Sequence, residues 1–146
     1  MFKRTHTCGE LGKSNVGEEI QLNGWINTVR LHGKIVFVDL RDRYGKTQLI
    51  FDEKNFPKEF EKIKKFSVED VISIKGTVQN RSDSSINPSL KTGEIEVSIL
   101  NYIMLNESEP LPFVLSDRDS AEEHFRLKYR YLELRIDELQ KNMIIR

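Results

Sequence analysis

The chain predicts an all-β fold, a small five-stranded Greek-key barrel with one short helix inserted between the third and fourth strands. Three observations carry this reading. Five stretches alternate apolar and polar residues with a period of two, as half-buried strands do. One stretch, between the third and fourth of these, switches to helical spacing. Each predicted strand also keeps a polar outer face, unlike the continuous apolar runs of parallel strands covered on both sides.

The first strand is "EIQLNGWINTVR" at 19–30, with Ile20, Leu22 and Ile26 on one face and Gln21, Asn23 and Asn27 on the other. In the second, "KIVFVDLR", Val36, Val38 and Leu40 face a core, which leaves Phe37 on the outer face in line with Asp39 and Arg41. "TQLIF" at 47–51 is the third, reached through "DRYG", a tight turn closed by Gly45. In "NFPKEFEKIKKF" the residues Phe56, Phe60 and Ile63 recur at helical spacing, and Pro57 suits a first helical turn. "DVISIKGTV" returns to alternation with Ile72, Ile74 and Val78 inward. The Ser-, Asn-, Pro- and Gly-bearing "NRSDSSINPSLKTG" at 80–93 is a polar loop. "EIEVSILNYIML" is the fifth strand, with Ile95, Val97 and Ile99 inward and Glu94, Glu96 and Ser98 outward. This order of elements is that of an OB-fold. An SH3-like barrel, the rival all-β reading, has no need of a helix at that point.

Beyond Leu105 the pattern changes. "NESEPLPFVLSD" has two prolines and no sustained period, so it reads as a linker. From Ser120 to Arg146 the chain reads as one helical stretch, opened by a Ser120/Glu123 capping-box pattern. A helix dense in Tyr, Leu and Arg with no partner of its own points to a second domain continuing past Arg146. The predicted organisation is a barrel over 1–105 and a C-terminal helical linker, or hinge, over 106–146.

Composition narrows the function classes. Hydrophobic residues make up 38% and charged residues 32% of the 146 positions, the balance of a globular protein with room for one core. No apolar run approaches the ~20 residues of a membrane-spanning helix, and "MFKRTHTCGEL" lacks the apolar centre of a secretory signal. The lone Cys8 fits a reducing, cytoplasmic setting. Lys plus Arg and Asp plus Glu each number 23, so nucleic acid would have to be held by a local patch with specific contacts. No Walker loop, Gly-rich dinucleotide fingerprint, CxxC or HExxH is present. His6, His32 and His124 are far apart and suggest no metal site. No catalytic residue and no cofactor is expected in this chain.

An OB-fold uses the outer face of its second and third strands and the flanking loops to hold single strands or sugars. Single-stranded bases are read by stacking on exposed rings and by hydrogen bonds to their edges. Phe37 stands where a stacking platform would stand, and Gln48 offers both a donor and an acceptor to a base edge. An ionised Glu96 offers acceptors only, which suits the N1–H and N2–H of guanine, and Arg30 can reach a base or a phosphate. The residues alone leave a second reading open, in which Phe37 packs beneath the 80–93 loop and Gln48 is merely solvated. Trp25 reads as a packing residue rather than a second platform.

Five pieces of sequence carry a family resemblance: "RTHTCGEL", "GW" at 24–25, "IVFVDLRDRYGKTQLIF", "INPSLKTGEIEV" and "RLKYRYLELR". In order and spacing they resemble the N-terminal anticodon-binding domain of bacterial-type aspartyl-tRNA synthetases, over essentially the whole chain. "TGEIEV" with "RLKYRYLELR" is specific; the strands alone would also suit class IIb relatives for Asn or Lys, or a stand-alone OB-fold interaction module. The resemblance implies a longer parent, an aspartate–tRNA ligase whose class II catalytic domain lies beyond Arg146. That parent would use ATP and Mg²⁺, form aspartyl-adenylate, and dimerise through the missing domain. The partner implied is the anticodon loop of tRNA-Asp, with tRNA-Asn as a second candidate. By the same resemblance Phe37 stacks on the middle anticodon base, Gln48 pairs with that uracil's edge, and Glu96 reads a guanine at the first base. Arg30 contacts the third base, and Arg81 and Asn87 are weaker loop candidates; His32, placed in the first turn two residues after Arg30, is expected to lie close to that third base by its position alone. Two departures stand out: only Arg30 remains in "NTVRLHG", where the family usually has several arginines, and "LELRID" has one arginine where two are typical.

Overall fold

β1 (Glu19–His32), β2 (Ile35–Arg41), β3 (Lys46–Asp52), β4 (Val71–Asn80) and β5 (Ile95–Asn106) close into a barrel in the order β1-β2-β3-β5-β4. The structure is a computed structural model that describes residues 1–117 and 121–146. These fall into two compact units, Met1–Ser108 and Glu109–Arg146.

Alternation decides the barrel interior. Ile20, Leu22, Ile26, Val36, Val38, Leu40, Leu49, Phe51, Ile72, Ile74, Ile95, Val97 and Ile99 are all fully buried, so the predicted inward faces of all five strands meet in one core. The neighbouring strand pairs are antiparallel except β3 with β5, which run parallel with Leu49 opposite Val97 and Ile50 opposite Ser98. β1 is long enough to pair with β2 and with β4, and a register shift between Ile26 and Thr28 lets it change partners. Such a bulge bends the strand, which a small barrel needs in order to close. Gly33, at φ +57°, supplies the left-handed residue of the turn from β1 to β2.

The helix between β3 and β4 is shorter than its sequence period suggests. Only Phe60–Ile63 (α1) is helical, with turns on both sides, and Pro57 lies in the turn that leads into it rather than within its first turn. Phe56, Phe60, Ile63 and Phe66 still join the barrel core, so the apolar spacing reflects burial. Phe51, Phe56, Phe66 and Tyr102 meet with ring centroids 5.5–5.7 Å apart.

The N-terminal segment is tied to the barrel by its backbone. Cys8 N–H donates to Asp42 Oδ2 at 2.9 Å and Cys8 C=O accepts from Thr47 Oγ1 at 2.7 Å. The other oxygen of Asp42 accepts from the N–H groups of Tyr44 and Gly45, which shapes the "DRYG" turn. A Cβ on Gly9 would lie 2.1 Å from Tyr44 O, so this close approach requires glycine there. Burial drives the Cys8 thiol far above its ordinary pKa, leaving it an inert core residue.

Arg41, read from the alternation as an outer-face residue, is instead buried. It pairs with Glu69 through an Nη2–Oε1 contact of 2.5 Å, and both residues are under 10% exposed. Glu69 sits at φ +73°, where its N–H donates to Ile26 O beside the β1 bulge. Trp25 faces outward at 36% exposure.

After β5, Ser108 N–H donates to Asp70 Oδ1 and its hydroxyl to Val68 O, so the first unit extends through the start of the linker. Among its described residues the second unit has three short helices, α2 (Glu123–Lys128), α3 (Arg130–Glu133) and α4 (Asp137–Ile145), where the sequence suggested one. Backbone bonds tighten to i→i+3 at the breaks, with Leu132 N–H on Tyr129 O and Ile136 N–H on Glu133 O. The residue before α2 is Glu122, in an extended conformation and without a side-chain cap; Ser120, the expected cap, lies outside the described residues. Arg126 and Arg130 both approach the buried carboxylate of Glu133.

Candidate nucleic-acid interface

One row of outward side chains crosses all five strands of the barrel. Thr28 on β1 lies opposite Asp39 on β2, and Asp39 opposite Gln48 on β3. The parallel β3–β5 register brings Gln48 beside Glu96, and Glu96 lies opposite Gln79 on β4. These side chains are joined. Arg30 Nη1 and Nη2 donate to the two oxygens of Asp39 at 2.9 and 3.0 Å, a bidentate pair. Thr28 Oγ1 donates to Asp39 Oδ2 at 2.5 Å. Arg30 Nη2 also donates to Gln48 Oε1 at 3.1 Å, Gln48 Nε2 to Glu96 Oε2 at 2.9 Å, and Gln79 Nε2 to Glu96 Oε1 at 3.0 Å.

Phe37 flanks this row. It is two residues from Asp39 on the same face of β2, opposite Arg30 on β1 and Ile50 on β3. Its ring is half-buried and meets His32 edge-on, with centroids 5.9 Å apart and planes at 78°. His32 is the last residue of β1, paired with Ile35, rather than a turn residue. Same-face neighbours two residues apart on a strand are separated by roughly 7 Å. Gln48, opposite Asp39 on β3, is thus the diagonal cross-strand neighbour of Phe37, roughly 7–8 Å away and within reach of a planar ring lying on it.

The outer face is less open than alternation implies. Gln48 is 8% and Glu96 9% exposed, because each is flanked by the other members of the row. Gln48 is accordingly no freely solvated amide. Arg30, with 46% of its side chain exposed, and Gln79 remain accessible at the two sides of the row. Arg81 belongs to the same cluster but is buried beneath the 80–93 loop: Nε donates to Ile95 O at 2.9 Å and Nη1 to Ser85 O at 3.4 Å. Burial lowers its pKa, while Glu96 and Asp39 nearby act in the opposite direction. Asn87 is half-buried and shapes the loop, its Oδ1 accepting from Ser89 N–H and Oγ. A Cβ on Gly93 would fall 1.7 Å from Asn87 O, so this loop closes only on glycine.

The structure thus brings Arg30, His32, Phe37, Gln48 and Glu96 onto one face, with Arg81 beneath its edge and Asn87 in the adjoining loop. An aromatic platform beside a row that ends in a guanidinium at one side and carboxamides and a carboxylate at the other suits an unpaired base. Residues 20–105 match the tRNA anticodon family of OB-fold nucleic acid binding domains. The chain belongs to that family.

Relatives agree with the assignment of this OB domain. The chain is 45% identical over 145 residues to an aspartate–tRNA(Asp/Asn) ligase of Caldanaerobacter subterraneus subsp. tengcongensis, covering 99% of this chain and 24% of that protein. With the ligase of the same name from Geotalea uraniireducens it shares 46% identity over 145 residues, again 99% of this chain and 24% of the relative. Among solved structures, asparaginyl-tRNA synthetase from Pyrococcus horikoshii in complex with asparaginyl-adenylate superposes with a TM-score of 0.78 at 25% identity, over 92% of this chain and 29% of that one. The chain thus spans about a quarter of the length of the curated relatives it matches. Among the described residues no helix is long and apolar enough to cross a membrane, and no three His, Cys, Asp or Glu side chains gather as a metal site would require.

Alternation exposed Phe37, Gln48 and Glu96 to sequence reasoning, and it also placed Asp39 outward. It did not identify Asp39, Thr28 and Gln79 as partners of those residues. Cross-strand register joins them, and register depends on pairings between segments far apart in the chain.

Proposed function

We propose that this domain reads the anticodon loop of an aspartate tRNA. The middle base, a uracil, stacks on Phe37 and meets Gln48 with its edge. Glu96 accepts from the first base, a guanine, while Arg30 and His32 approach the third. Arg81 and Asn87 support recognition from the loop, Arg81 chiefly by holding it against β5. The observation that carries this reading is the adjacency of Phe37 to the hydrogen-bonded row through Gln48 and Glu96.

The whole protein would be an aspartate–tRNA ligase, with residues 1–105 as the reader and 106–146 as the hinge toward a catalytic domain. That domain would supply the ATP, Mg²⁺ and aspartate sites, form aspartyl-adenylate, and make the dimer contacts, in a cytoplasmic setting. The relatives' name, with both Asp and Asn, supports tRNA-Asn as a second substrate. His32 suits that breadth, because an imidazole can donate or accept and so tolerates cytosine or uracil at the third position.

The test is binding of hairpin RNAs by this chain at fixed salt, because phosphate contacts weaken steeply as salt rises. A hairpin presenting GUC should bind more tightly than GCC or AUC hairpins of the same stem. Equal affinity for all three would reject the anticodon reading.

A further inference from the structure

We propose that Asp39 and Gln79 are positioning residues that set the donor–acceptor order of the reading face before RNA arrives. Asp39 does so by locking Arg30 and, through it, the orientation of the Gln48 amide. Gln79 does so by holding the carboxylate of Glu96. This rests on the anticodon reading above and extends it to two side chains that need touch no base.

The chemistry at each end of Gln48 allows one amide orientation. A guanidinium has donors and no acceptor, so Arg30 Nη2, 3.1 Å away, requires the amide oxygen on its side. An ionised carboxylate has acceptors and no donor, so Glu96 Oε2, 2.9 Å away, requires the amide nitrogen on its side. Reversing the amide would lose both bonds and set like polarities against each other. In the fixed orientation Gln48 keeps one free lone pair on Oε1 and one free hydrogen on Nε2, side by side and in a set order. Uracil presents N3–H and a carbonyl oxygen in the matching order, whereas cytosine presents N3 and an amino group in the reverse order. A freely turning glutamine would accept either pyrimidine; a fixed one discriminates.

Arg30 can do this only if it is held itself. Nearly half its side chain is exposed, and the Asp39 carboxylate grips both Nη atoms while accepting from Thr28. At the other end Glu96 is anchored through both oxygens, Oε2 by Gln48 and Oε1 by Gln79. That leaves its remaining lone pairs in a defined plane for two further N–H donors. Gln79 is exposed, so its replacement removes this anchor without opening the core.

The experiment measures dissociation constants of this chain for GUC, GCC and AUC hairpins at one salt concentration, on the folded fraction established by circular dichroism and titration. Asp39→Asn should reduce the GUC-over-GCC preference about fivefold to tenfold, the effect of roughly one net hydrogen bond, with a smaller change in GUC over AUC. Gln79→Leu should chiefly reduce GUC over AUC. In a Gln48→Ala background, Asp39→Asn should leave the GUC/GCC ratio where Gln48→Ala puts it; with Gln48 present, Asp39→Glu should keep more of the wild-type ratio than Asp39→Asn does. If Asp39→Asn fails to fold, Arg30→Lys breaks the same link at an exposed side chain and should lower the same ratio. Variants that weaken all three hairpins equally, or leave both ratios unchanged, would overturn the positioning role. A wild-type chain without preference for GUC would instead reject the anticodon reading itself, so the two failures are distinct.

Discussion

Gln48 on β3 donates its amide Nε2–H to Glu96 Oε2 on β5 at 2.9 Å, across the only parallel strand pair of the barrel. Two residues 48 positions apart in the chain thus share one hydrogen bond on the reading face. Residues that look independent in sequence are coupled in the fold. Their substitutions should therefore be non-additive, as for any pair in direct contact.

That coupling is the first expectation. Gln48→Ala should relax preference at the middle base and also loosen the preference of Glu96 for guanine at the first. Glu96→Ala should act reciprocally, and the double variant should lose less than the sum of the singles. A double-mutant cycle on hairpins with single anticodon changes measures the interaction; strict additivity would contradict it.

Phe37→Ala should weaken hairpin binding by ~1–3 kcal/mol, the usual range for a base stacked on an aromatic ring. This corresponds to roughly a tenfold to hundredfold rise in Kd. The fold should lose little, because the ring lies outside the core and touches His32 rather than the barrel interior. Val38→Ala, one residue further on and fully buried, should behave oppositely by opening a cavity. Urea unfolding beside binding separates the two. A Phe37→Ala domain that melts while its folded fraction binds normally would make the ring structural.

Glu69→Ala should destabilise the barrel by about 1.5–3 kcal/mol, the usual worth of a hydrogen bond to a charged group, because it removes a carboxylate to which the buried Arg41 guanidinium donates. The pair lies beside the β1 bulge and makes no hydrogen bond with Gln48 or Glu96 among those described, so base preference should persist in the folded protein. Thermal unfolding and the GUC/GCC ratio together check this.

Tyr102 should give the domain an alkaline stability limit. Burial, and then the nearby Glu59 carboxylate, push its phenol up from the ordinary value of about 10 to about 12. A raised folded-state pKa stabilises in full below the unfolded value and loses that contribution as pH climbs through the folded one. Stability should therefore fall between about pH 10 and about pH 12. Tyr102→Phe keeps the ring among Phe51, Phe56 and Phe66 and should flatten that decline. The ultraviolet phenolate titration should lose its highest-pH step in the same variant.

The sequence by itself determined the barrel and which side chains share its outer face. A period of two is a local property: Val36, Val38 and Leu40 must share one side of a strand, so Phe37 and Asp39 must share the other. It also placed Gln48 and Glu96 outward, and the short apolar segment around Phe60 between β3 and β4. Tertiary structure alone decided who meets whom. The inserted segment is only one turn of helix because Phe56 and Phe66 reach the core from turns, where apolar spacing persists without helical bonding. The tail breaks into three helices at i→i+3 bonds that likewise leave its spacing nearly unchanged. Arg41 turned from a surface residue into half of a buried pair once the segment carrying Glu69 packed beside β1. The row from Thr28 to Gln79 exists because five strands align at one level. Strand register is set by pairing between distant segments, and no local pattern encodes it.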